Sequence, residues 1–203
     1  MDGREVTRKI WEKFHIHKGD NLPISPWLEG ASRSHLAELF AELEFNEGAE
    51  IGVRSGNYSL ELLSKNPNLH MRCVDTWAAY LKVSQERQDA HYRHCVAKLA
   101  PYKADILRMP SLEGLAHVED NSLDFVYIDG RHEFSFVIQD LIGWSKKVKQ
   151  GGIVAGHDYY NFYQGGIILA VDAFTKAYNI QQWYITKELQ PSFFWVKEYR
   201  DAV

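Results

Sequence analysis

Between residues 49 and 180, short apolar runs alternate with longer segments in which apolar residues recur every three or four positions. Short apolar runs bounded by turn residues predict buried strands. Segments in which apolar residues recur every three or four positions predict helices with one apolar face. The predicted strands cover residues 49–52, 71–74, 104–109, 124–129 and 153–155. Gly151 and Gly152 are expected to stop the helix that precedes the last of these strands. Because strands that alternate with helices pair in parallel, the pattern predicts a doubly wound, mainly parallel α/β sheet.

The two ends of the chain depart from this alternation. Residues 3–15 and 34–44 each predict a helix ahead of the first strand, and a proline-broken connection at residues 22–27 separates them. Residues 182–186 and 192–196 predict an antiparallel pair, interrupted by Pro191. We therefore expect an N-terminal helical extension over residues 1–45, acting as a lid or as a subunit interface, on a main domain over residues 46–203.

Composition narrows the class of protein. A chain of 203 residues with 45% apolar content fits one globular domain, and a net charge of −4 argues against a protein that binds nucleic acid through bulk electrostatics. The chain has two cysteines, Cys73 and Cys95, which we expect to be reduced and buried. The sequence shows no signal core and no segment apolar enough to span a membrane, so we expect a cytoplasmic protein.

A glycine turn follows the first strand of the alternating region. Gly52 and Gly56 flank this turn, and Asn57 is placed to cap the helix that follows. Glycine is required where the backbone turns tightly or lets a ligand approach, and the helix start offers free N–H groups to an anion. Many such turns bind nothing, so the turn alone does not identify a ligand site.

Polar residues follow the ends of several predicted strands, where open α/β sheets bind their ligands. Asp75 ends the second strand and is placed to accept hydrogen bonds from ribose hydroxyls; Asp129, His157 and Asp158 end later strands. The dinucleotide pattern Gly-x-Gly-x-x-Gly is absent, since Arg54 stands at its middle glycine, and a phosphate-binding Walker loop is absent as well. These absences argue against a nicotinamide enzyme and against a P-loop protein.

Five short motifs occur in a characteristic order and carry a family resemblance. They are residues 50–56, 74–77, 124–132, 151–159 and 170–174. Over about residues 47–198 the chain resembles class I S-adenosylmethionine-dependent methyltransferases, and among them the small-molecule O-methyltransferases of methyltransferase family 24.

The resemblance implies a Rossmann-like sheet of seven strands with the last strand antiparallel. It also implies that the glycine turn holds the methionine part of the cofactor, that Asp75 binds the ribose, and that the stretch around Ser111 contacts adenine. Arg54 departs from the glycine-rich form of the turn. The residues expected to bind S-adenosylmethionine are Glu50, Gly52, Arg54, Gly56, Asn57, Asp75, Thr76, Trp77, Ser111, Leu112 and Asp129.

The implied reaction is methyl transfer to a hydroxyl of a small molecule, either a sugar or a natural product. A hydroxyl acceptor must lose its proton, and a base with a pKa near neutrality suits that step. His132, three positions after Asp129, matches the position of a base in related enzymes, so His132 and Asp129 are the candidate catalytic residues. The alternative for His132 is that it only caps a helix.

Some members of the resembled branch also bind a divalent cation, Mg²⁺ or Mn²⁺. The matching positions here are Asp129, His157 and Asp158. Two carboxylates suit Mg²⁺, whereas an imidazole ligand suits Mn²⁺ or Fe²⁺ better. A metal-independent site, in which these residues are only a polar strand end, is the alternative.

Two other functions remain open from the sequence. A catalytically silent cofactor-binding subunit would keep the glycine turn and Asp75 without turning over an acceptor, and a hydroxylase-like relative would use the same sheet for other chemistry. The partners expected are a small-molecule acceptor and neither nucleic acid nor membrane. The N-terminal helices leave self-association of the chain open.

Overall fold

The computed structural model describes residues 2–17, 27–161 and 165–199, and in them one mixed sheet is covered by helices on both faces. The strands are β1 (Trp27–Leu28), β2 (Glu47–Ile51), β3 (His70–Asp75), β4 (Ala104–Arg108), β5 (Leu123–Ile128), β6 (Val148–Gly156), β7 (Tyr184–Thr186) and β8 (Phe193–Val196). The α-helices are α1 (Gly3–Lys13), α2 (Arg33–Glu42), α3 (Asn57–Lys65), α4 (Gln85–Leu99), α5 (Ser111–Gly114), α6 (Phe134–Lys147) and α7 (Gly166–Ala177). A short 3₁₀ helix covers Leu115–His117.

The strand order is β1-β7-β8-β6-β5-β2-β3-β4. Strand β8 runs antiparallel to both of its neighbours, and the other pairings are parallel. The predicted Rossmann-like, doubly wound sheet with its last strand antiparallel is therefore confirmed. Strand β2 pairs with β3 on one side and with β5 on the other, so the chain reverses its direction of winding at β2, and a ligand crevice is expected at the carboxyl ends of these strands.

Within the described residues the sheet has eight strands, one more than the seven predicted. Strand β1 is two residues long and pairs in parallel with β7 through Trp27 and Leu28. Two residues show no periodicity, so the sequence gives no signal for this strand. Of the predicted proline-broken connection at residues 22–27, positions 22–26 lie outside the described residues.

A stack of aromatic rings joins α2 to the centre of the sheet. Phe40 of α2 stacks on Phe125 of β5 with ring centroids 4.3 Å apart, and both rings are buried. Gly48 in the neighbouring strand leaves room for this contact, because a Cβ there would meet the Phe125 ring at 2.4 Å. Burial of a side chain of this size stabilises the fold by about 1.5–3 kcal/mol.

The N-terminal helix α1 packs on the antiparallel end of the sheet. Val6 and Ile10 are fully buried, and the Trp11 indole N–H donates to the Tyr184 hydroxyl at 2.9 Å. Lys13 forms an ion pair with Glu42 of α2 at 2.7 Å, so the two N-terminal helices also contact each other. The division into residues 1–45 and 46–203, and a role as lid or interface, remain predictions.

Helix α6 ends earlier than the sequence suggested, and the expectation that Gly151 and Gly152 stop it is wrong. The helix ends at Lys147, and both glycines lie inside β6. The reason is tertiary: Gly151 donates its N–H to the Lys197 carbonyl at 2.9 Å, and the Lys197 N–H donates to the Gly152 carbonyl at 2.8 Å. Pairing with the chain after β8 therefore extends β6 through this glycine pair.

Two further expectations concern the state of the two cysteines and the presence of membrane-spanning helices. Cys73 and Cys95 are free and buried, as predicted. Among the helices of the described residues, none has the length and apolar character needed to cross a bilayer.

Lys197 provides a test of the packing between α6 and the edge of the sheet. Its ammonium group is buried and donates to the carbonyls of Ser145 at 2.8 Å and Val148 at 3.0 Å. Lys197→Met removes both donors, and we expect the free energy of unfolding to fall by about 2–4 kcal/mol, because buried acceptors without donors are costly. Urea denaturation measures this change.

Lys187→Met is the matched control, since Lys187 is exposed and pairs on the surface with Glu29. We expect this control to change the free energy of unfolding by less than about 0.5 kcal/mol. Equal effects of the two substitutions would contradict the assignment of Lys197 to the carbonyls of Ser145 and Val148.

Candidate active site

Gly52 brings the ends of three strands together after β2. Its N–H donates to the Val74 carbonyl at 2.8 Å, and the Asp129 N–H donates to the Ile51 carbonyl at 2.7 Å. Gly52 has φ +94°, and a Cβ at this position would lie 2.1 Å from the Asp129 carbonyl oxygen. Because the backbones approach this closely, only glycine fits, and the predicted ligand turn is also the junction between β2, β3 and β5.

The turn continues through two left-handed residues, Arg54 at φ +53° and Gly56 at φ +71°. Gly56 is the N-cap of α3, so the expectation that Asn57 caps this helix is wrong; Asn57 is the first helical residue, and its side-chain oxygen accepts from the Lys98 ammonium. A glycine cap has no side-chain oxygen to occupy the first N–H groups of the helix. Free N–H groups at a helix start favour a bound anionic group.

Asp75 anchors two loops with one carboxylate. Its Oδ2 accepts from the Arg54 N–H and its Oδ1 from the Trp77 N–H, each at 2.8 Å. The fully buried Trp77 ring reinforces the connection, because its indole N–H donates to the Arg54 carbonyl at 2.6 Å. Thr76 lies between Asp75 and Trp77 in the sequence and is exposed. Each carboxylate oxygen has a second lone pair, so Asp75 can still accept from ligand hydroxyls.

Ser111, at the start of α5, forms a buried network with α6. Its hydroxyl donates to Asp140 and accepts from the Trp144 indole N–H at 2.8 Å. Burial raises the pKa of Asp140 to about 6. The neighbouring Leu112 side chain is 46% exposed, so it is an apolar surface at this point that suits a flat ring. Contact of Ser111 and Leu112 with adenine stays a prediction.

Glu50 lies under the glycine turn and is almost fully buried. The Ser59 hydroxyl of α3 hydrogen-bonds one of its oxygens. Burial raises the pKa of Glu50 to about 8, with only partial opposition from the Ser59 hydrogen bond. Glu50 is therefore protonated at neutral pH, and in this form it joins β2 to α3 below the site.

Four of the predicted site residues meet at the carboxyl ends of β5 and β6, and we call Asp129, His132, His157 and Asp158 the strand-end cluster. His132 Nε2 lies 3.2 Å from Asp158 Oδ2. His157 Nδ1 lies 3.3 Å from Asp158 Oδ1 and 3.6 Å from Asp129 Oδ1. Asp129, His132 and Asp158 offer one ligand atom each within 4.8 Å of one another, so the converging set contains His132 where the sequence suggested His157.

The charges in the strand-end cluster are strongly coupled. Burial alone would lower the pKa of His157, but Asp129 and Asp158 outweigh it and raise that pKa to about 9. Burial would raise the pKa of Asp158, yet the neighbouring imidazoles of His132 and His157 hold it well below its usual range. At neutral pH His157 is thus a cation next to two carboxylates.

Asp158 carries two signs of a functional position. Its φ is +61°, a left-handed backbone conformation that is uncommon for a residue with a side chain. Its Oδ1 is buried and has no hydrogen bond of acceptable geometry from any described residue, although His157 is near. A buried carboxylate oxygen without a donor is costly, so it is a candidate to accept from a ligand.

Arg33 is a site residue that sequence reasoning missed. It is the first residue of α2, and its Nη1 lies 4.0 Å from Asp129 Oδ2. Its guanidinium carbon lies 5.3 Å from the centre of the Tyr58 ring. Arg33 precedes the helix expected at residues 34–44, and no motif or spacing in the sequence connects it with β5.

An open groove of about 700 Å³ lies elsewhere, on α1. Arg4, Trp11 and Glu198 are among its lining residues, and the lining includes none of the predicted site residues. We assign the candidate site to the strand-end cluster and the glycine turn, because neighbouring side chains of the cluster lie 3.2–3.6 Å apart at the carboxyl ends of the strands, where open α/β sheets bind their ligands.

The chain matches a known protein family. The sequence model of methyltransferase family 24, described as a methyltransferase domain, matches residues 49–159, which is more than half of the chain. This range contains the glycine turn, Asp75 and the whole strand-end cluster. The sequence matches no curated protein.

Solved structures of several enzymes have similar folds. The O-methyltransferase TomG from Streptomyces achromogenes, involved in tomaymycin synthesis and solved with SAM, is 13% identical with TM-score 0.62 over 96% of this chain and 89% of that one. An O-methyltransferase from Bacillus cereus, solved with SAH, is 13% identical with TM-score 0.60 over 96% and 90%.

Spermidine synthase from Thermotoga maritima is 15% identical with TM-score 0.59 over 81% of this chain, which spans 58% of that enzyme's length. At identities this low, the structural similarity shows a shared fold and nothing more. This fold is found in enzymes with different substrates.

The buried Glu50 predicts a specific dependence of stability on pH. Its pKa is about 8 in the folded protein against an ordinary value of 4.5, so the folded chain keeps a proton that the unfolded chain releases. Its stabilising contribution is complete below the ordinary value and is lost as the pH rises to about 8, at about 1.4 kcal/mol per pH unit. We expect Glu50→Gln to remove this decline, as measured by urea denaturation from pH 5 to 9.

Glu86→Gln is the control, because Glu86 is exposed in the first turn of α4. We expect it to keep the wild-type slope. Parallel pH profiles for the wild type and Glu50→Gln would show that Glu50 does not titrate in this range.

Proposed function

The chain belongs to methyltransferase family 24, and from that premise we propose that it uses S-adenosylmethionine to methylate a hydroxyl of a small molecule, a sugar or a natural product. The observation that carries the proposal is the pairing of His132 Nε2 with Asp158 Oδ2 at 3.2 Å, beside the glycine turn. This pairing gives the site a base with a fixed orientation, which an oxygen acceptor needs and a simple binding protein does not.

The glycine turn and Asp75 fit S-adenosylmethionine. Gly52 lets the ends of β2, β3 and β5 meet, and the start of α3, which is capped by Gly56, has no capping side chain to compete with the cofactor's carboxylate. Asp75 is already held by two backbone N–H groups, so it presents acceptor oxygens for ribose hydroxyls without rearrangement. When bound, the cofactor supplies a methyl group activated by a sulfonium.

His132 takes the proton of the acceptor hydroxyl in this proposal. If its Nε2–H donates to Asp158, the lone pair is on Nδ1, and Nδ1 is the atom that receives the proton. The acceptor oxygen forms a bond to the methyl carbon while the carbon–sulfur bond breaks and leaves its electron pair on sulfur. Proton removal by a placed base is worth on the order of 10²–10⁴ in rate, and alignment of the reactants contributes up to roughly 7–11 kcal/mol.

Asp129 connects the cofactor side of the site to the acceptor side. Its backbone is joined to β2 next to Gly52, and its carboxylate lies between Arg33 and His157. A negative charge near the position of the sulfonium favours binding of the positively charged methyl donor. We therefore assign Asp129 to electrostatic positioning and His132 to proton transfer.

A divalent cation is the second mode of activation that the donor set supports. Asp129, Asp158 and one imidazole suit Mn²⁺ or Fe²⁺ better than Mg²⁺, and the buried Asp158 Oδ1 lacks a donor among the described residues. A bound cation would lower the pKa of the acceptor hydroxyl. Arg33, however, already places a positive charge 4.0 Å from Asp129 Oδ2, and this favours the metal-free assignment.

The other functions left open by the sequence have less support. The oriented His132–Asp158 pair argues against a silent cofactor-binding subunit, which would need no base. The family match and the absence of a dinucleotide fingerprint argue against a hydroxylase-like or nicotinamide enzyme. A cytoplasmic location and self-association of the chain stay predictions.

Cofactor binding is tested by calorimetric titration with S-adenosylhomocysteine. We expect micromolar affinity for the wild type and at least tenfold weaker binding for Asp75→Ala, because the variant loses the ribose acceptor and the anchor of two loops. Asp120→Ala is the control, since Asp120 lies on the surface and pairs with Lys147. Absence of binding to folded wild-type protein would refute S-adenosylmethionine as the cofactor.

Proton transfer is tested with His132→Gln on any hydroxyl acceptor that the wild type methylates. We expect kcat to fall by about 10²–10⁴ while the affinity for S-adenosylhomocysteine stays within twofold. We also expect wild-type activity to survive treatment with EDTA. Loss of activity on chelation, restored by Mn²⁺, would instead make the strand-end cluster a metal site.

A further inference from the structure

Both main-chain polar groups of Arg33 are hydrogen-bonded to side chains, while its own side chain reaches the strand-end cluster. Its N–H donates to Glu188 Oε1 at 2.9 Å, and its carbonyl accepts from the Tyr58 hydroxyl at 3.0 Å. Glu188 itself is held by the Thr186 hydroxyl at 2.7 Å. The start of α2 is therefore fixed to the segment between β7 and β8 and to α3, so the direction of the Arg33 side chain is set by the fold.

The guanidinium group has unused hydrogen-bonding capacity. It carries five N–H donors, and among the described residues none of them makes a hydrogen bond to a protein acceptor. The distance of 4.0 Å to Asp129 Oδ2 is an ion pair but is longer than the 2.7–3.2 Å usual for a hydrogen bond. The side chain is 38% exposed, so a ligand can reach it.

The ring of Tyr58 supports one face of this guanidinium, with 5.3 Å between its carbon and the ring centre. Tyr58 is itself buried. A guanidinium that is supported on one face by an aromatic ring and has free in-plane donors is well suited to a bidentate contact with a carboxylate or a phosphate. Lysine and arginine elsewhere in the described chain make no ion pair with Asp129 or Asp158, so Arg33 supplies this chemistry alone at the cluster.

We propose that Arg33 recognises an anionic group, a carboxylate or a phosphate, on the acceptor whose hydroxyl is methylated. This proposal rests on the proposed function and adds the class of acceptor: a hydroxy acid or a hydroxylated phosphate ester. Arg33 binds the anion, and His132 takes the hydroxyl proton. Arg33 is thereby a specificity residue contributed by the N-terminal helices.

The test compares acids with their neutral amides on protein saturated with S-adenosylhomocysteine. The probes are glucuronate with glucuronamide, and 3- and 4-hydroxybenzoate with their amides; glucose 6-phosphate with glucose represents the phosphate source. Equilibrium dissociation constants are measured by calorimetry for the wild type, Arg33→Gln, Arg33→Lys and the surface control Arg8→Gln. Arg8 pairs with Glu12 on the exposed face of α1.

We expect at least one anionic probe to bind the wild type tenfold or more tightly than its neutral partner. Arg33→Gln should abolish that preference and leave the affinity of the neutral partner within twofold, Arg33→Lys should retain part of it, and Arg8→Gln should retain all of it. For any probe that is methylated, the loss should be in KM and not in kcat. A preference for the carboxylate probes would identify the acceptor as a hydroxy acid, and a preference for glucose 6-phosphate would identify it as a phosphate ester.

Two results would overturn the proposal. One is that no anionic probe binds the wild type better than its neutral partner. The other is that Arg33→Gln weakens acid and amide equally, as expected if Arg33 were only a counter-ion for Asp129. Failure of the proposed function is a separate outcome, because it would appear as absence of S-adenosylhomocysteine binding before any probe is added.

Discussion

The close approach of backbones at Gly52 is the constraint on which the candidate site depends. At this point the ends of β2, β3 and β5 are joined by hydrogen bonds to the Val74 carbonyl and from the Asp129 N–H, and no side chain fits between them. Asp75 and Asp129 follow directly from these strand ends, so their separation is set by the spacing of the strands. The Asp75 carboxylate then fixes the two loops that leave the sheet.

Much of the fold was predictable because it is encoded in local periodicity. The alternation of apolar runs and helical patterns predicts the parallel sheet, and Asp75, Asp129, His157 and Asp158 were found because parallel strands deliver their end residues to one edge. The errors arise where tertiary contacts override local signals. Gly151 and Gly152 look like a helix stop in sequence, yet pairing with the chain after β8 places them in a strand.

The candidate site was predictable only in part, for the same reason. The sequence identifies which residue types stand at the strand ends, but the partnership of His132 with Asp158 and the burial of Glu50 depend on side-chain positions that no spacing encodes. Arg33 reaches Asp129 from a helix that precedes the alternating pattern, through contacts with Tyr58 and Glu188. Such a residue becomes visible only when the helix is placed on the sheet.

The position of Arg33 has a consequence for how such a protein can change over evolutionary time. The glycine turn and Asp75 lie within residues 49–159, whereas Arg33 lies in a helix ahead of that range. Under the proposed assignments, the residues that bind the methyl donor and the arginine that binds the anionic group of the acceptor therefore lie in separate stretches of the gene. On that assignment, a change in the N-terminal helices would alter which acceptors bind and leave the donor site unchanged.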